Sequence, residues 1–463
     1  MCPAKSQLIL GQILQSSSTQ YTIIEFIGYG FFGKVAKCQV NSTSELVAIK
    51  ILDTFEQDVE DELSMLSKIS VLDPDQFNLV KFHERFEYSS YTCFVFELLE
   101  MDLFQFIKNK MGDSMCVNGI RPIAKQMLVA LQGLKSLGIM HTDIKPDNVM
   151  LVNTEKDKFH VKLIDFGLAI PFSSATQGEL LQPISYRAPE VILGLPYTEA
   201  IDMWGLGCTL ATLYLKYNLF PVGCEYLVMK AMVEYLGMPS DDQLIFGMRT
   251  KGFFCKEADE VGAWRLLTPE EYSRVTKVKA REWPPWRPHF SSLDDLLYIF
   301  NKKDAEEYKD RRAFIDFLKH LLTLNGEKRF SPTEALQHPF ITMSHLSQDP
   351  DDSDYFTTAQ ALMPTEASLS VTPVNDGEAH VAEEADEVLP TPASSQNDSG
   401  ISSSPKQSPN HCDESLESRS SKNGLVVEDA PIPKRFESIR KLFSQIGKTF
   451  LSCCCCCYSS VEE

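Results

Sequence analysis

Two stretches of the sequence are the most informative about its architecture: His141-Thr-Asp-Ile-Lys-Pro-Asp-Asn148 and Asp165-Phe-Gly167. In the first stretch, Asp143 is placed to accept the proton of a substrate hydroxyl. Lys145, two residues later, can neutralise the negative charge that develops on a transferred phosphoryl group. The segment therefore favours phosphoryl transfer as its chemistry.

Two oxygen-bearing side chains in these stretches suit a metal ion. Asn148 and Asp165 offer the amide and carboxylate oxygens that Mg²⁺ prefers. We expect His141 to form hydrogen bonds within the core, because Asp143 is better placed to act as a base. The two stretches together predict a clamp for phosphates and a divalent cation.

A glycine-rich turn lies upstream, in Gly28-Tyr-Gly30-Phe-Phe-Gly33-Lys-Val35. Glycines lack Cβ, so the backbone amides of such a turn can approach phosphate oxygens. The strand-like runs on both sides argue against a dinucleotide site, and no Gly-Lys-Ser/Thr follows as a Walker-type loop requires. Taken alone, the turn also fits an ordinary hairpin, and that alternative stays open.

A lysine and a glutamate follow at positions that suit a fixed phosphate-binding cation. Lys50 ends the strand-like run Val47-Ala48-Ile49-Lys50, and Glu62 lies on the next expected helix. An ion pair between them would hold the lysine amine in place for the α- and β-phosphates of a nucleotide. The alternative is that each is an ordinary solvated surface charge.

Further motifs continue the same order along the chain. They are Ala188-Pro-Glu190, Asp202-Met-Trp-Gly-Leu-Gly207 and Arg329, which is a plausible ion-pair partner for Glu190. We expect a structural role for all three. Chance agreement of so many motifs in one order is negligible.

Composition limits the classes of protein to which this chain can belong. With 463 residues, 43% of them hydrophobic, it can bury a large core, so a wholly disordered protein is excluded. The formal net charge of -20 argues against direct nucleic-acid binding. Its 13 cysteines show no zinc-ligand or disulfide spacing, and the apolar run at residues 8–14 is too short to span a membrane. An intracellular, reducing compartment fits best.

Hydrophobic periodicity predicts a folded region of residues 21–340, after an N-terminal extension of residues 1–20. The expected elements are short strands at residues 21–50, a helix at 55–69, a strand at 92–97 and helices near 120–137, 201–217 and 312–324. This order predicts an α+β fold with a small β-rich lobe and a larger helical lobe. Residues 341–430 are expected to form a disordered acidic tail, and residues 431–463 a basic terminal segment.

These motifs resemble those of the eukaryotic protein kinases, over about residues 21–340. Four stretches are most similar to the homeodomain-interacting protein kinases: residues 93–100, 185–197, 200–204 and 252–272. The resemblance implies a two-lobed kinase that binds ATP and Mg²⁺ and phosphorylates serine or threonine in proteins, with dual specificity open. It also implies transcriptional regulators as partners.

The same resemblance implies roles for individual residues. Those at the adenine site are the gatekeeper Phe96, the hinge from Glu97 to Leu99, and Val35, Ala48 and Met150 around the base. Arg187 matches the arginine that favours proline after the phosphorylated residue, so substrates with Ser/Thr-Pro sites are expected.

Three departures from the kinase pattern bear on activity. Thr142 replaces the arginine that would pair with a phosphorylated loop, and Leu180 stands where related kinases have a phosphorylated tyrosine. Pro183 stands where Ser/Thr kinases have a hydroxyl that bridges the equivalents of Asp143 and Lys145. Ser185 is a candidate substitute for that hydroxyl. A pseudokinase scaffold that acts by binding partners is therefore the alternative.

The tail carries two further patterns. Four Ser/Thr-Pro pairs, at Thr372, Thr391, Ser404 and Ser408, are candidate autophosphorylation sites, although such pairs are common in disordered segments. The stretch Asp398-Ser-Gly-Ile-Ser-Ser403 resembles a phosphodegron that a ubiquitin-ligase adaptor reads.

Near the C-terminus, apolar residues recur at spacings of three and four among basic ones, which predicts a basic amphipathic helix. The apolar positions are Phe436, Ile439, Phe443, Ile446 and Phe450. The five residues after this segment resemble palmitoylation sites: Cys453, Cys454, Cys455, Cys456 and Cys457. Peripheral membrane attachment is therefore expected, with a partner-binding helix or an unmodified thiol cluster as the alternatives. Residence in the nucleus, in the cytoplasm or at a membrane stays open.

Overall fold

The computed structural model describes residues 8–30, 33–52, 56–109, 115–257, 262–285, 287–300, 305–346 and 354–364. Predictions made for the acidic tail, the terminal amphipathic segment and the five consecutive cysteines lie outside these ranges. No helix in the described ranges is long and apolar enough to cross a membrane. All six cysteines within them are free thiols, as the sequence predicts.

An antiparallel six-stranded sheet forms the N-terminal lobe, in the order β1-β2-β3-β4-β6-β5. The strands are β1 Ile13–Gln15, β2 Gln20–Gly30, β3 Gly33–Val40, β4 Leu46–Leu52, β5 Phe82–Tyr88 and β6 Tyr91–Glu97. Alternation of buried and exposed residues along β3 and β4 directs one face of the sheet into a core of its own. Residues 8–20, predicted to be an extension, in fact contribute β1 to this sheet.

One helix accompanies the sheet and brings an acidic residue toward it. This helix, α1 Glu56–Ile69, buries Val59, Leu66 and Ile69 in the main core of the molecule. Its observed start lies one residue from the predicted one, and residue 55 is outside the described residues. Burial of this apolar stripe fixes the helix beside β4, which carries Lys50.

The C-terminal lobe is helical and surrounds two almost completely buried helices. Its helices are α2 Leu103–Asn109, α3 Val117–Ser136, α4 Pro189–Leu193, α5 Ala200–Leu215, α6 Glu225–Leu236, α7 Asp241–Phe246, α8 Pro269–Thr276, α9 Ala305–Leu321, α10 Pro332–Leu336, α11 Pro339–Thr342 and α12 Asp354–Ala361. Helices α3 and α5 are buried along most of their length and form the centre of the main core. The α+β architecture with a β-rich first lobe is therefore as predicted.

Short strands flank the two loops that contain the candidate site residues Asp143 and Asp165. They are β7 Met101–Asp102, β8 Ile139–Met140, β9 Val149–Asn153, β10 Asp157–Leu163, β11 Ile170–Pro171, β12 Phe254–Lys256 and β13 Trp264–Leu266. The sequence 141–148 joins β8 to β9, and the sequence 164–169 joins β10 to β11. Since β9 pairs with β10 and β8 with β11, both loops are held at the same edge of the lobe.

The folded region continues past the predicted boundary at residue 341. Helix α12 packs Ala359 against Met343 and Leu346. The Tyr355 hydroxyl donates a hydrogen bond to Asp310 of α9, at 2.8 Å. The prediction of disorder from residue 341 onward is therefore wrong for residues 341–346 and 354–364. The few apolar residues there pack against other parts of the fold, which local composition cannot reveal.

Candidate active site

Three charged side chains from distant parts of the sequence meet beside the sheet. The Lys50 amine donates hydrogen bonds to both carboxylate oxygens of Glu62, at 2.7 and 2.9 Å, and to Asp165 Oδ1 at 2.9 Å. The predicted Lys50–Glu62 ion pair is therefore confirmed, and the surface alternative is wrong. Burial disfavours the charged amine, but the two carboxylates outweigh burial and raise the pKa of Lys50.

Asp165 keeps its negative charge in this arrangement. Burial alone would raise its pKa, yet the neighbouring Lys50 ammonium lowers the pKa of Asp165 below its ordinary value. Its backbone adopts φ of 62°, in the left-handed region, which is unusual for a residue other than glycine. Such strain is characteristic of side chains that a fold holds for function.

The loop of residues 141–148, which we name the catalytic loop for its candidate base, forms a second cluster centred on Asp143. Its Oδ2 atom accepts hydrogen bonds from the Lys145 amine at 2.8 Å and from Asn148 Nδ2 at 2.7 Å. Burial would lower the pKa of Lys145, but the charge of Asp143 prevails and raises that pKa. Asp143 Oδ1 is buried and has no hydrogen-bond partner among the described residues. One oxygen of this carboxylate is thus left as an unused acceptor.

Backbone hydrogen bonds connect the two clusters. The Ile164 amide donates to the Asn148 carbonyl at 3.0 Å, which places Asp165 directly after a residue tied to the catalytic loop. His141 shares a hydrogen bond at 3.0 Å with the Ile164 carbonyl, and its ring packs edge-on against Phe166. His141 is therefore the core hydrogen-bonding residue that the sequence predicts.

A buried carboxylate from α5 shapes the start of the loop. Asp202 accepts hydrogen bonds from the amides of His141 at 2.7 Å and Thr142 at 2.8 Å. Thr142 adopts φ of 64°, and Asp202 satisfies the amides that this turn leaves without a helix or strand partner. The predicted structural role of Asp202 is therefore confirmed. The predicted structural role of Glu190 is also confirmed, since it forms a buried bidentate ion pair with Arg329 at 2.7 and 2.9 Å.

The glycine-rich turn joins β2 and β3 above these clusters. Gly28 pairs with Val35, and Gly30 pairs with Gly33. A Cβ on Gly33 would lie 2.1 Å from the Ile51 carbonyl oxygen, and the residue has φ of 154°, so only glycine fits there. The two phenylalanines at the tip of the turn are outside the described residues.

The residues expected to surround adenine lie on adjoining strands. Ala48 is opposite Phe96 across the β4–β6 pair, and Val35 is opposite Lys50 across β3–β4. Met150 lies on β9, in the C-terminal lobe, and is half-buried. Leu99, in the segment between the lobes, is buried. That these residues surround adenine stays a prediction.

The Glu97 side chain has a role that the sequence does not indicate. Its Oε1 atom accepts a hydrogen bond from the Lys81 amide and another from the Lys162 amine, both at 2.7 Å. Lys162 is itself almost completely buried and also pairs with Asp75 at 2.6 Å. This contact ties the segment between the lobes to β10, three residues before Asp165.

Comparison with known sequences agrees with this geometry. Residues 21–341 match the family described as "Protein kinase domain". The chain belongs to the protein kinase family. The matched region covers about two-thirds of the 463 residues.

Similar kinases share about two-fifths of the aligned residues. Homeodomain-interacting protein kinase 1 of Mus musculus is 42% identical over 357 residues, which are 75% of this chain and 29% of the relative. Homeodomain-interacting protein kinase 2 of Mesocricetus auratus is 40% identical over 354 residues, 74% of this chain and 30% of the relative. Homeodomain-interacting protein kinase 4 of Homo sapiens is 35% identical over 361 residues, 74% of this chain and 58% of the relative. The chain thus spans between about a third and three-fifths of the length of these relatives.

The activation loop of the kinase domain, between Asp165 and Glu190, is held by hydrogen bonds from several segments. Thr142, at the arginine position, donates its hydroxyl to the Leu168 carbonyl at 2.7 Å. The Thr176 amide donates to the Tyr197 hydroxyl at 3.1 Å, and Gln177 Nε2 donates to the Gly194 carbonyl at 3.1 Å. Leu180, at the tyrosine position, is exposed. These hydrogen bonds fix the described path of the loop.

Ser185 does not replace the hydroxyl that Pro183 lacks. Its hydroxyl donates to the Pro221 carbonyl at 3.1 Å, and the residue is buried. Pro183 begins a short 3₁₀ turn, Ile184–Tyr186, with φ of -60°, which suits the proline ring. The hypothesis of compensation by Ser185 is therefore wrong for this conformation.

Arg187 is fixed from three directions. Its guanidinium donates to the Leu181 carbonyl at 2.7 Å, to the Gln182 carbonyl at 2.7 and 3.1 Å, and to Glu225 at 2.6 Å. Gln182 adopts φ of 64°, and its side chain is anchored by the Ala188 amide and the Ile201 carbonyl. The Gln182 carbonyl is thus turned onto Arg187.

Sequence reasoning missed Lys162, Gln182 and Glu225. Lys162 stands in an apolar strand, where an isolated lysine signals a buried ion pair because an unpaired charge there would be costly. Gln182 and Glu225 gave no such signal, because both residue types are ordinary on a surface. Their contacts depend on the path of the activation loop over α6.

One histidine-containing cluster lies away from the cleft. Ligand atoms of Asp316, His320 and His338 lie within 4.8 Å of one another. The Phe340 amide donates to His338 Nδ1 at 3.1 Å, so the neutral ring carries its proton on Nε2 and shares it with Asp316 at 3.2 Å. Burial lowers the pKa of His338, which keeps the ring neutral. The arrangement is that of a helix cap rather than a set of metal ligands.

Proposed function

We propose that the chain is an ATP-dependent protein serine/threonine kinase, with Asp143 as the base. The unused Oδ1 atom of Asp143 is the acceptor available to the substrate hydroxyl. Lys145, held 2.8 Å from the same carboxylate, offsets negative charge on the transferred phosphoryl group. Lys50, fixed by Glu62, supplies the cation for the α- and β-phosphates.

Protein kinases use ATP with Mg²⁺, and the donor set of this site fits that ion. The side-chain nitrogen of Asn148 donates to Asp143, which leaves the side-chain oxygen of Asn148 available to a cation. Asp165 accepts from Lys50 through Oδ1 only, which leaves Oδ2. We propose Asn148 and Asp165 as the metal-binding residues because both offer hard oxygen ligands beside the phosphate-binding lysine.

The adenine contacts are proposed by position in the kinase fold. Glu97 and Leu99 would meet the base through the backbone, and the Glu97 side chain is already engaged by Lys162. Phe96 would close the back of the pocket, while Val35, Ala48 and Met150 would cover the two faces. The glycine turn of Gly28, Gly30 and Gly33 would cover the phosphates.

Proline-directed specificity follows from the arrangement of Arg187. A substrate residue after the phosphorylated serine usually needs an acceptor for its backbone N–H. The Gln182 carbonyl, which borders this position, is instead occupied by Arg187 at 2.7 Å. Proline has no N–H and loses nothing in such a site. We therefore propose substrates with Ser-Pro or Thr-Pro sites.

The observation that carries the proposal is the Lys50–Glu62–Asp165 contact, since a kinase needs these groups assembled for phosphoryl transfer. The test is a phosphorylation assay of the full chain with ATP, Mg²⁺ and a Ser-Pro peptide, beside the variant Asp143→Asn. We expect the variant to lose at least a hundredfold in rate, as removal of a general base does. Equal inertness of both proteins, with ATP still bound, would favour the pseudokinase scaffold.

Other parts of the prediction stay proposals. Transcriptional regulators as partners, intracellular residence and palmitoylation of the five consecutive cysteines depend on the relatives or on the terminal segment. Fractionation of cells that express the full chain, with all five cysteines changed to serine as the comparison, would test membrane attachment. An unchanged membrane fraction would contradict it.

A further inference from the structure

An exposed apolar surface borders the activation loop on the side of α7. We call it the α7 patch, and it consists of Ile245, Phe246 and Met248. Leu180 of the activation loop lies two residues after Gly178, which is beside Met248. The exposed fractions of the first three are 57%, 70% and 67%, and that of Leu180 is 49%. Three such residues within four positions exceed the scattered single apolar residues that ordinary surfaces carry.

The backbone beneath the patch is fixed. A Cβ on Gly178 would lie 3.4 Å from Met248 Sδ, so the methionine covers the activation loop directly. The amides of Met248 and Arg249 donate to the carbonyls of Gly194 at 3.4 Å and Leu193 at 2.8 Å. The α7 patch is therefore a preformed surface rather than a mobile tip.

Acidic side chains border this surface. Asp241 and Asp242 are exposed in the first turn of α7, where the helix dipole favours negative charge, and Glu179 is exposed on the loop. The neighbouring Arg249 is already paired with Glu225 at 2.8 Å. The patch is thus bordered by three exposed carboxylates, and one exposed lysine, Lys251, follows Met248 by three residues. A partner of this surface should be apolar on one side and basic around it.

A segment of the same chain has this chemistry. The apolar positions Phe436, Ile439, Phe443, Ile446 and Phe450 recur at helical spacing. The basic residues Lys434 and Arg435 precede them, and Arg440, Lys441 and Lys448 lie between them. About 70 residues connect the end of α12 to this segment. A flexible chain of that length has an end-to-end distance of roughly 45 Å, which reaches across a domain of this size.

We propose that residues 434–450 dock on the α7 patch as an amphipathic helix. Apolar side chains cover Phe246 and Met248, while the basic residues approach Asp241 and Asp242. The tether holds the segment at an effective concentration on the order of millimolar, so a weak site is enough for occupancy. The same apolar stripe cannot enter a membrane while it is docked, so membrane binding and docking compete.

The test is photo-crosslinking in the full chain. Phe246 is replaced by p-benzoylphenylalanine, and the protein is irradiated in vesicle-free buffer. The crosslinked residues are then mapped by mass spectrometry. We expect crosslinks within one chain to residues 434–450. The same probe at Val71, which is 72% exposed on the other lobe, is the matched control and should give none to this segment.

A charge reversal separates docking from chance proximity. Asp241→Lys with Asp242→Lys should reduce the crosslink yield at least fivefold, and adding Arg440→Glu with Lys441→Glu should restore it. Unchanged yield in the first variant, or no recovery in the second, overturns the proposal. Crosslinks only between isotopically distinct chains would assign the patch to a second copy. Absence of any crosslink, with the segment binding phosphatidylserine vesicles, would assign the segment to membranes.

Discussion

Restoring a hydroxyl at position 183 should increase catalysis. Pro183 stands where Ser/Thr kinases place a hydroxyl that bridges the base and the lysine of the catalytic loop. In this structure Asp143 accepts hydrogen bonds from Lys145 and Asn148 through Oδ2, and Ser185 is committed to the Pro221 carbonyl. The change Pro183→Ser therefore offers a further donor to Lys145 and to the Oδ2 side of this carboxylate, while Oδ1 stays the acceptor for the substrate hydroxyl.

The size of the effect follows from the strength of the new hydrogen bond. A hydrogen bond to a charged group contributes about 1.5 to 3 kcal/mol. Loss of the proline ring lowers the free energy of unfolding by about 0.4 to 1 kcal/mol, because the backbone gains freedom in the unfolded state, but this loss does not change kcat. If about 1 kcal/mol remains as better positioning in the transition state, kcat rises roughly fivefold, since 1.36 kcal/mol corresponds to a factor of ten.

The assay measures kcat and KM with ATP, Mg²⁺ and a Ser-Pro peptide for the wild type, Pro183→Ser and Pro183→Ala. The alanine variant loses the ring without gaining a hydroxyl, so the difference between serine and alanine isolates the hydrogen bond. We expect the serine variant to be the fastest, with KM for the peptide little changed. Equal kcat for serine and alanine would refute the reasoning.

Three further changes probe the same molecule. Glu62→Gln removes a carboxylate that fixes Lys50 and contributes to its raised pKa, so kcat/KM for ATP should fall at least tenfold, while a thermal melt close to the wild type shows that the fold is intact. Glu225→Gln releases Arg187, so the preference for Ser-Pro over Ser-Ala peptides should fall about threefold to tenfold; Glu234→Gln, whose ion pair with Lys230 on the same helix is 3.7 Å long, is the control and should leave the preference unchanged. Asp310→Asn leaves buried Arg121 without its anion, so urea unfolding at pH 7 should show a loss of about 3 to 5 kcal/mol. Hydrogen bonds and the charge of Arg121 overcome burial and lower the pKa of Asp310, so its stabilisation is present above the unfolded pKa of about 3.9 and is lost as pH falls below it. The gap between the wild type and Asp310→Asn should therefore shrink below about pH 4, and a gap independent of pH would contradict this assignment.

The ion-pair cluster around Asp310 also explains why the folded region extends beyond its predicted end. Arg121 of α3, His345 after α11 and Tyr355 of α12 all bond to this one carboxylate. Each of these residues is unremarkable in the sequence, since none belongs to a local motif. Their convergence fixes α12 on the helical lobe, and no period or composition could indicate it.

Local sequence determined much of this protein. The spacing of Lys50, Asp143 and Asp165 in their motifs was enough to predict the fold and the members of the charged clusters, because each motif is contained in its own short segment. Helix and strand periods likewise gave the two lobes, since burial of an apolar stripe is a local requirement. The four helices that were predicted by range, α1, α3, α5 and α9, begin and end within three residues of those ranges, except that α9 starts seven residues earlier than predicted.

Only the tertiary structure decided how those motifs are held. The contacts of Glu225 with Arg187, of Lys162 with Glu97 and of Ser185 with Pro221 join residues 15 or more positions apart, in ways that depend on the path of each loop. The sequence pattern shows which side chains a segment contains, whereas the packing of helices and strands determines which of them come into contact. The sequence could therefore indicate candidate residues of an active site, whereas the fold determined which of their atoms form hydrogen bonds.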